Sequence, residues 1–289
     1  MSELTIIIPH FESYTSLDNL LLELQKTACI EVIVVDDGSN DSEKINKIKT
    51  KYPHVHFYFN QGPNSAGTCR NIGLRHVETD WVTFVDSDDK LDINTLSELV
   101  TSFKNRSDCE IIFCPPKSQM VNGNKSNRHL RYKNLVDAYN RRKNEDILYW
   151  YHVPWSKIYN VAFLKRKNIK FSDTIVSNDV IFSLTAGIAC SHYTVSNVSF
   201  YTVIESSTSL TSSKYKSLPN TICRLNILKK YNQILTENGL KKYRIPLILI
   251  AKKLPILNLI RVVINDGVLP YFHISPYYII TKVRNSLSK

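Results

Sequence analysis

The sequence predicts an α/β fold in which a mostly parallel sheet carries helices on both faces. Over the first 115 residues, short β-branched runs alternate with segments whose apolar residues repeat at helical spacing. This alternation is typical of βαβ units, which build parallel sheets. Polar clusters follow three of the expected strands, and ligands of such sheets bind at the carboxyl ends of the strands. This part of the chain is therefore expected to hold the functional site.

Five strands and five helices are predicted before residue 210. The strands are predicted over residues 4–9, 31–35, 55–59, 81–85 and 110–114. The helices are predicted over residues 17–24, 45–52, 66–77, 93–103 and 179–190. Residues 116–150 are polar, basic and weakly periodic. Residues 211–289 are predicted to form a basic, amphipathic helical extension that prolines interrupt.

Length and composition indicate one large folded domain with an appendage. The chain has 289 residues, of which 43% are hydrophobic, and a formal net charge of +11; such values suit a globular core. Its six cysteines form no C-x-x-C pair, so neither a zinc site nor a disulfide framework is expected. The sequence shows no leader-peptide pattern and no apolar run of about 18 residues. We therefore expect a cytoplasmic protein.

Two acidic motifs follow predicted strands. Asp86 and Asp88 come directly after residues 81–85, and carboxylates two residues apart on an extended chain point to the same side. Such a pair suits Mg²⁺ or Mn²⁺, which bind one or two carboxylates together with substrate phosphates. Asp36 and Asp37 end the second strand and suit hydrogen bonds from a base or a ribose. For each motif alone, a surface turn with a helix cap is the competing interpretation.

The order of the motifs along the chain is more specific than any one motif. The stretches Thr5-Ile-Ile-Ile-Pro9, Val32-Ile-Val-Val-Asp-Asp-Gly-Ser39 and Phe84-Val-Asp-Ser-Asp-Asp89 resemble family 2 of the inverting glycosyltransferases, which has the fold called GT-A. The later segment Pro154-Trp-Ser-Lys-Ile-Tyr159 resembles bacterial cell-surface members of that family. The resemblance covers residues 3–210.

The resemblance implies a GT-A catalytic domain over residues 1–210, followed by the helical region 211–289. Residues 1–115 would bind the nucleotide sugar, and residues 116–210 would face the acceptor. The implied reaction moves a hexosyl or N-acetylhexosaminyl group, with inversion, from a nucleotide diphosphate to an acceptor hydroxyl. By resemblance the nucleotide is UDP, the acceptor is a saccharide or lipid-linked saccharide, and the product is a surface polysaccharide of capsule, O-antigen, exopolysaccharide or teichoic acid type.

The same resemblance implies roles for residues at the strand ends. The nucleotide-sugar site would comprise Pro9, Phe11, Glu12, Asp37, Arg70, Asp86 and Ser87. Phe11 would contact the base, and Asp37 would accept a hydrogen bond from a base N–H. Asp88 would hold the Mn²⁺ or Mg²⁺ that bridges the diphosphate and stabilises charge on the leaving group. His10 lies beside this pocket and is a further candidate for a donor contact.

A transferase also needs a general base for the acceptor hydroxyl. The family takes this base from an acidic dipeptide, usually Glu-Asp, at the start of a helix, and the matching place here is Asn178-Asp179. Asp179 is therefore the predicted base, with a plain helix cap as the alternative. Because Asn178 stands where the family usually has the glutamate, the supporting role of that first acidic residue is in doubt here. Trp155 and Lys157 are candidates for an acceptor wall, although Trp155 fits a buried structural role equally well.

One cation that many relatives carry is missing here. They have a Tyr-x-x-Arg segment followed by serines near the diphosphate, whereas residues 201–209 contain the serines and no arginine. Neutralisation of the diphosphate would then fall on the metal, on Lys214 or on Lys216.

The C-terminal region carries most of the excess positive charge. Between Lys241 and Lys289 there are nine lysines and arginines against Asp266 alone. An apolar run over residues 245–251 lies between basic residues, which is typical of interfacial helices. We expect this region to bind an anionic membrane surface, with the protein peripheral on the inner face of the cell membrane. A helical lid with solvated lysines is the alternative.

Three other functional classes fit less well. Nucleotidyltransferases that make nucleotide sugars place glycines after the first strand, and Pro9-His-Phe-Glu-Ser13 has none. A nucleic-acid-binding protein would suit the isoelectric point of about 9.2, but the sequence shows no recognition module, and the acidic strand ends would repel phosphate without a metal. A catalytically inactive nucleotide-sugar-binding subunit of a polysaccharide assembly complex is the main alternative, and Asp88 and Asp179 argue against it.

Overall fold

Two compact units make up the chain, Met1–Ser206 and Ser207–Lys289. The computed structural model describes residues 3–25, 27, 30–103, 108–205, 217–266, 269–272, 275–279 and 281. The predicted domain boundary at residue 210 lies outside these described residues, as do the two candidate phosphate ligands Lys214 and Lys216.

Two sheets organise the first unit. Its strands are β1 (Leu4–His10), β2 (Ile30–Asp36), β3 (His56–Phe59), β4 (Trp81–Phe84), β5 (Lys90–Leu91), β6 (Ile111–Phe113), β7 (Lys117–Met120), β8 (Lys157–Asn160), β9 (Tyr193–Val195) and β10 (Tyr201–Glu205). Within the described residues, the main sheet has seven strands in the order β3-β2-β1-β4-β8-β6-β9. A small sheet has the order β5-β10-β7. The main sheet is parallel except at β8, which runs antiparallel to β4 and β6.

Helices follow most strands of the first unit. They are α1 (Tyr14–Leu24), α2 (Ser42–Lys51), α3 (Ala66–Arg75), α4 (Ile93–Phe103), α5 (Leu130–Arg142), α6 (Asp146–Trp150), α7 (Val161–Arg166) and α8 (Asn178–Ala189). In α1, Leu17, Leu20, Leu21 and Leu24 are buried, as their helical spacing requires. The helix α3 begins where the Ser65 side chain accepts a hydrogen bond from the Thr68 N–H at 3.0 Å.

The strand order places the reversal point of the sheet between β1 and β4. From β1 the chain adds β2 and then β3 on one side, and it returns through α3 to add β4 on the other side. Because such crossovers are right-handed, the two directions put their helices on opposite faces of the sheet. Crevices form outside the carboxyl ends of the strands at such a reversal. The residues after β1 and β4 therefore border the expected ligand site.

The structure confirms the predicted fold class, with one difference in the acceptor half. The predicted strands and helices of the first 115 residues appear with ends shifted by a few residues. Sequence reasoning treated the segment around Trp155 as a motif only, whereas β8 inserts there as a strand between β4 and β6. Its three buried residues, Lys157, Ile158 and Tyr159, make it a strand of the sheet interior.

The second unit is helical, as predicted. It contains α9 (Leu218–Glu237), a 3₁₀ turn (Lys241–Tyr243), α10 (Ile248–Ala251), α11 (Ile256–Asp266) and α12 (Leu269–Phe272). Asn232 fixes the chain after the 3₁₀ turn, because its amide bonds to both the N–H and the carbonyl of Ile245, at 2.9 and 2.7 Å. Asp266 pairs with Lys229 and accepts a hydrogen bond from Tyr271. Among the described helices, none is both long enough and apolar enough to cross a bilayer.

Candidate active site

A buried polar network joins the ends of β1 and β2. His10 Nδ1 lies 2.8 Å from Asp36 Oδ1, and both side chains are buried. Ser39 completes the network, because its Oγ donates to Oδ1 at 2.6 Å and its N–H donates to Oδ2 at 2.9 Å. Burial raises the pKa of Asp36, but the bonds from His10 and Ser39 outweigh it and hold the pKa below its usual value. His10 is 1% exposed and supports this turn from inside, rather than presenting a surface to the donor.

Asp37 lies in different surroundings from Asp36, as alternation along a strand requires. Its Oδ1 accepts hydrogen bonds from Asn60 Nδ2 at 2.7 Å and from the Ser65 N–H at 3.2 Å. These contacts tie the end of β2 to the start of α3. Asp37 is half-buried, and no described residue bonds to its Oδ2. That oxygen is available to a ligand.

Phe11 and Glu12 form the turn after β1. Phe11 is 40% exposed, whereas Pro9 is buried within the strand. Glu12 has a φ of +55°, a conformation that is costly for a residue other than glycine. Its Oε1 accepts hydrogen bonds from Asn40, at 2.8 Å from the backbone N–H and 2.9 Å from Nδ2. The turns after β1 and β2 are thus joined, with an aromatic ring exposed beside them.

Arg70 joins two motifs that lie about a hundred residues apart in the sequence. The side chain is 5% exposed; its Nη2 donates to Asp86 Oδ1 at 2.7 Å and its Nη1 donates to Asn178 Oδ1 at 3.0 Å, across 108 positions. Phe171 lies under the guanidinium at 5.4 Å. Asn178, in the place of the family's first acid, therefore still accepts a bond from this arginine. The end of β4 and the start of α8 are held together by one side chain.

Tyr201 supports the loop Asp86–Asp89, called the acidic loop, which follows β4. Its hydroxyl donates to Asp89 Oδ2 at 2.6 Å and accepts from the Asp86 N–H at 3.1 Å. The ring stacks on Trp155, with centroids 5.3 Å apart and planes 9° from parallel. Burial raises the pKa of Asp89 well above its usual value, and the charges of Asp86 and Asp88 add to this effect. Asp89 and Tyr201 therefore fix the loop in place.

The other two residues of the acidic loop point elsewhere. Ser87 is buried, and its Oγ lies 2.7 Å from Ser13 Oγ, which joins this loop to the turn after β1. Asp88 is exposed. Although the residue is exposed, protein atoms around its carboxyl displace water and raise the pKa of Asp88, as does the negative charge of Asp86. Asp88 is thus a carboxylate that a cation at this loop would stabilise.

The acidic loop fits a metal that is shared with a substrate. In the described part of the chain, no cluster of three histidine, cysteine or acidic residues forms a complete metal cage. Mg²⁺ and Mn²⁺ do not need one, since they bind one or two carboxylates and take further oxygens from substrate phosphates and water. The repulsion between Asp86 and Asp88 is the electrostatic condition that a divalent cation relieves.

Asp179 lies in the first turn of α8. It is next to the place where Arg70 bonds to both Asp86 and Asn178, called the Arg70 junction. It is half-buried, and burial, the largest effect, raises its pKa. The negative charge of Asp86 adds to this rise, whereas the positive charges of Arg70 and Lys157 oppose it. The residue before this helical turn, Ser177, has a φ of +56° and makes no side-chain cap. Strained backbone of this kind is found where a site requires one geometry. Asp179 therefore has the raised pKa of a carboxyl group suited to accept a proton.

Trp155 and Lys157 lie inside the protein, which corrects their assignment to an acceptor wall. Trp155 is 5% exposed and packs against Tyr201. Lys157 is 1% exposed; its Nζ donates to the Tyr151 carbonyl at 2.9 Å and to Ser183 Oγ at 3.3 Å. Burial lowers the pKa of Lys157 well below its usual value, against the opposite effect of Asp179. Lys157 begins the interior strand β8 and Trp155 immediately precedes it, and both side chains are buried.

Gly67 lets α3 approach the segment that leads into Asn178-Asp179. A Cβ at this position would lie 2.1 Å from the Ser172 carbonyl oxygen and 2.8 Å from Asn178 Cβ. We expect Gly67→Ala to lower the free energy of unfolding by about 1–3 kcal/mol, since backbone atoms must move apart. Chemical denaturation measures this loss. The control is Gly62→Ala, whose Cβ would lie at an ordinary 3.5 Å from Asn60 Oδ1; equal stability of the two variants would contradict the account.

Comparison with known proteins assigns the chain to a family. The family model described as glycosyl transferase family 2 matches residues 5–169, more than half of the chain. The chain belongs to this family. The matched region contains Asp37, Arg70 and the Asp86–Asp89 loop, and it ends before Asp179. The family resemblance read from the strand-end motifs is thereby confirmed.

Several relatives in the family are bacterial. An uncharacterized glycosyltransferase of Haemophilus influenzae is 28% identical over 268 residues, which are 84% of this chain and 99% of the relative. The poly(ribitol-phosphate) β-N-acetylglucosaminyltransferase TarS of Staphylococcus aureus is 28% identical over 194 residues, covering 64% of this chain. The aligned part is only 32% of TarS, so the chain corresponds to about a third of that protein.

Solved structures of glycosyltransferases share the fold. Residues 1–349 of S. aureus TarS in complex with UDP-GlcNAc match with a TM-score of 0.60 and 20% identity, over 87% of this chain and 70% of the TarS chain. The mannosyltransferase PcManGT from Pyrobaculum calidifontis, in complex with GDP-Man and Mn²⁺, matches with a TM-score of 0.55 and 13% identity, over 99% of this chain and 88% of that one. At these identities the likeness establishes the GT-A fold.

The sequence of this family 2 chain did not predict the supporting roles of several residues. Asp36 and His10 were visible as neighbours of the strand ends, and strand alternation already separates Asp36 from Asp37. Tyr201 lies 112 positions from its partner Asp89, so no local pattern links them. Asn60, which holds Asp37, follows β3 in the same way that the recognised motifs follow their own strands, and this position was the available signal.

Proposed function

We propose that the protein transfers a sugar, with inversion, from a nucleotide diphosphate to an acceptor hydroxyl, with the help of a divalent metal. The observation that carries the proposal is the Arg70 junction. Arg70 bonds to Asp86 of the acidic loop and to Asn178, the neighbour of Asp179. A carboxylate loop suited to a metal diphosphate and a carboxyl suited to proton abstraction are therefore held at one place. Membership of family 2 supports this combination.

The donor nucleotide would bind across the turns that follow β1 and β2. Phe11 offers an exposed ring for the base, and Asp37 Oδ2 is available to a base N–H. Glu12 holds the first turn in place through Asn40. Asp86 and Ser87 would border the ribose and the sugar. UDP is the proposed nucleotide, because the TarS structure that shares this fold holds UDP-GlcNAc.

Asp88 would hold Mn²⁺ or Mg²⁺ together with the donor diphosphate. When bound, such a metal stabilises negative charge on the leaving diphosphate. The support from this chain is the exposure of Asp88 and the repulsion from Asp86, which a cation relieves. A mannosyltransferase of the same fold is known in complex with Mn²⁺.

Asp179 would take the proton from the acceptor hydroxyl as that oxygen attacks the anomeric carbon. Its raised pKa makes the carboxylate a stronger base than an exposed aspartate. Attack on the face opposite to the leaving diphosphate inverts the anomeric centre, by analogy with the inverting glycosidases. Arg70 would keep Asp179 ionised before the reaction, since its positive charge favours the carboxylate.

The proposed pathway is the synthesis of a bacterial surface polysaccharide. Relatives named poly(ribitol-phosphate) β-N-acetylglucosaminyltransferase, TarS and TarP, support this class of product. A hexosyl or N-acetylhexosaminyl group would pass to a saccharide or lipid-linked saccharide at the cytoplasmic side. Residues 116–210, which include α5 and α8, would form the acceptor half of the domain over residues 1–210.

Calorimetric titration with UDP-, GDP-, CMP- and TDP-sugars in the presence of Mn²⁺ tests the donor part of the proposal. One donor is expected to bind in a metal-dependent manner, and Asp37→Asn is expected to weaken its binding. If the protein bound none of these donors, the proposed function would be contradicted. An inactive nucleotide-sugar-binding subunit, the main alternative, would pass this test and fail to release nucleotide. The geometry around Asp179 favours the enzyme.

We also propose that the second unit binds an anionic membrane surface. Four apolar side chains of α11 are between 48% and 77% exposed, namely Ile256, Leu257, Ile260 and Ile264. Spacings of four and seven residues put them along one side of the helix. Lys252, Lys253 and Arg261 are exposed next to them. An exposed apolar stripe with neighbouring cations suits the boundary between headgroups and acyl chains of an anionic leaflet.

Flotation with vesicles of phosphatidylglycerol and phosphatidylethanolamine measures this binding. We expect the double variant Leu257→Ser/Ile264→Ser to lose flotation, because it removes the apolar contact from α11. The matched control is Val121→Ser/Val198→Ser, which removes two exposed apolar side chains from the first unit. Equal flotation of the two double variants, or no flotation of the wild-type protein, would contradict the membrane role.

A further inference from the structure

The loop between β7 and α5 carries an exposed arginine close to the acidic loop. Arg128 lies two residues before α5, in the segment that sequence reasoning described only as polar and basic. It is separated from Asp88 by forty positions in the sequence. Among the described residues, none forms a hydrogen bond or an ion pair with its guanidinium.

The small sheet determines where Arg128 lies. The strand β10 pairs with β5, which directly follows the acidic loop, and with β7, which precedes the Arg128 loop. At the acidic end, Asp89 Oδ1 accepts a hydrogen bond from the Ile204 N–H at 2.7 Å. One residue further along β10, Glu205 Oε2 accepts from Ser126 Oγ at 2.5 Å, and Ser126 Oγ accepts from the Arg128 N–H at 3.1 Å. Two neighbouring residues of β10 therefore bond to the acidic loop on one side and, through Ser126, to the backbone of Arg128 on the other.

The electrostatics agree with this placement. The guanidinium of Arg128 lies near enough to the Asp88 carboxyl for its positive charge to favour the carboxylate. Arg70, the other arginine near the loop, is buried and already bonded to Asp86 and Asn178. Arg128 is thus an exposed cation whose charge acts on Asp88 and whose guanidinium donors are available to a ligand.

A diphosphate bound at Asp88 would need such a cation. A nucleoside diphosphate carries more negative charge than one divalent metal neutralises, and the adjacent side chains Asp86 and Asp88 are negative. A guanidinium presents several N–H donors in one plane and matches the oxygens of a phosphate group. The strand that supports the loop, β10 (Tyr201–Glu205), contains no basic residue.

We propose that Arg128 binds the diphosphate of the nucleotide sugar beside the metal at Asp88. This inference rests on the proposed function, because it requires a nucleotide-sugar donor at the acidic loop. Ser126 and Glu205 are then positioning residues, which hold the backbone of Arg128 toward the site. Arg128 would stabilise the same negative charge that develops on the leaving diphosphate during transfer.

Titration calorimetry with a nucleoside diphosphate and its parent nucleoside tests this assignment without an acceptor and without turnover. The probe pair is the best-bound member of UDP, GDP, CDP and TDP together with the matching nucleoside, in the presence of Mn²⁺. For Arg128→Gln we expect the diphosphate to bind about 10- to 100-fold more weakly, the loss of a charged hydrogen bond, while the nucleoside binds unchanged. Arg128→Lys, which keeps the charge, is expected to recover part of the loss.

The matched control is Lys125→Gln, which removes one exposed positive charge from the same loop. It is expected to leave both affinities unchanged. Unchanged diphosphate affinity in Arg128→Gln, or an equal loss for the nucleoside, would overturn the role of Arg128 and leave the proposed function standing. If the wild-type protein bound no nucleoside diphosphate, the proposed function itself would fail, and this inference with it.

Discussion

An Asp179→Asn variant is expected to transfer sugar about 10²- to 10⁴-fold more slowly than the wild-type protein, which is the usual contribution of a general base. The substitution keeps the size of the side chain and removes its basicity. Donor binding is expected to persist, because the contacts of Arg70 with Asp86 and Asn178 do not involve the Asp179 carboxylate. The measurement is the rate of transfer to an acceptor at saturating donor, combined with donor affinity by calorimetry.

The pH profile provides an independent readout of the same residue. A base acts when deprotonated, so the rate falls as the pH drops through its pKa. Burial raises the pKa of Asp179, and this fall is therefore expected at a higher pH than for an exposed aspartate. This fall of the rate at low pH should be absent in Asp179→Asn. Asp173→Asn, an exposed residue ahead of α8, is the matched control. Wild-type rates in Asp179→Asn would leave Asp179 as only an acidic residue of the first turn of α8.

An Asp88→Asn variant is expected to lose metal-dependent catalysis. A metal that stabilises the leaving group contributes several kcal/mol, so removal of its carboxylate should cost about 10²- to 10³-fold in the rate of nucleotide release. The fold should be unaffected, because Asp89 and Tyr201, rather than Asp88, hold the loop. The measurement is nucleotide release as a function of Mn²⁺ concentration.

The control for Asp88 is another exposed aspartate close in sequence. Asp92 accepts a hydrogen bond from the Thr95 N–H at 3.1 Å and begins α4. Asparagine caps helices as well as aspartate does, so Asp92→Asn should retain stability and activity. If Asp88→Asn kept the metal response of the wild-type protein, the metal would have to bind elsewhere and the assignment of the acidic loop would be wrong.

The sequence allowed the fold to be predicted because each βα unit carries its own local signal. The apolar runs of β1, β2 and β4, the spacing of apolar residues in α1 and α4, and the polar residues at each strand end are all short-range features. Parallel strands bring their carboxyl ends to one edge, so the motifs were expected to meet there. The Asn178-Asp179 motif follows no strand directly, and Arg70 joins it to Asp86 at this edge.

Features that depend on distant partners could not be predicted. Lys157 appears in the sequence as a polar residue beside an exposed-looking motif, and only the insertion of β8 between β4 and β6 buries it. Arg128 lies in a weakly periodic segment, and only the pairing of β5, β10 and β7 brings its loop to the strand that also supports the acidic loop. In the sequence, the segment that begins at Tyr201 differs from relatives by the absence of an arginine. Its structural role, the support of the acidic loop by the Tyr201 hydroxyl, depends on partners more than a hundred positions away.

The central claim is that the protein cleaves a nucleotide sugar with the help of a metal at the acidic loop. Nucleotide release from UDP-, GDP-, CMP- and TDP-sugars, with and without acceptor saccharides, tests it most directly when Mn²⁺ and EDTA are compared. The expected result is release from one donor that EDTA abolishes and that Asp88→Asn lowers. Release that EDTA leaves unchanged would contradict the metal assignment. A protein that binds a donor and never releases its nucleotide, with any acceptor tried, would be a binding subunit rather than an enzyme.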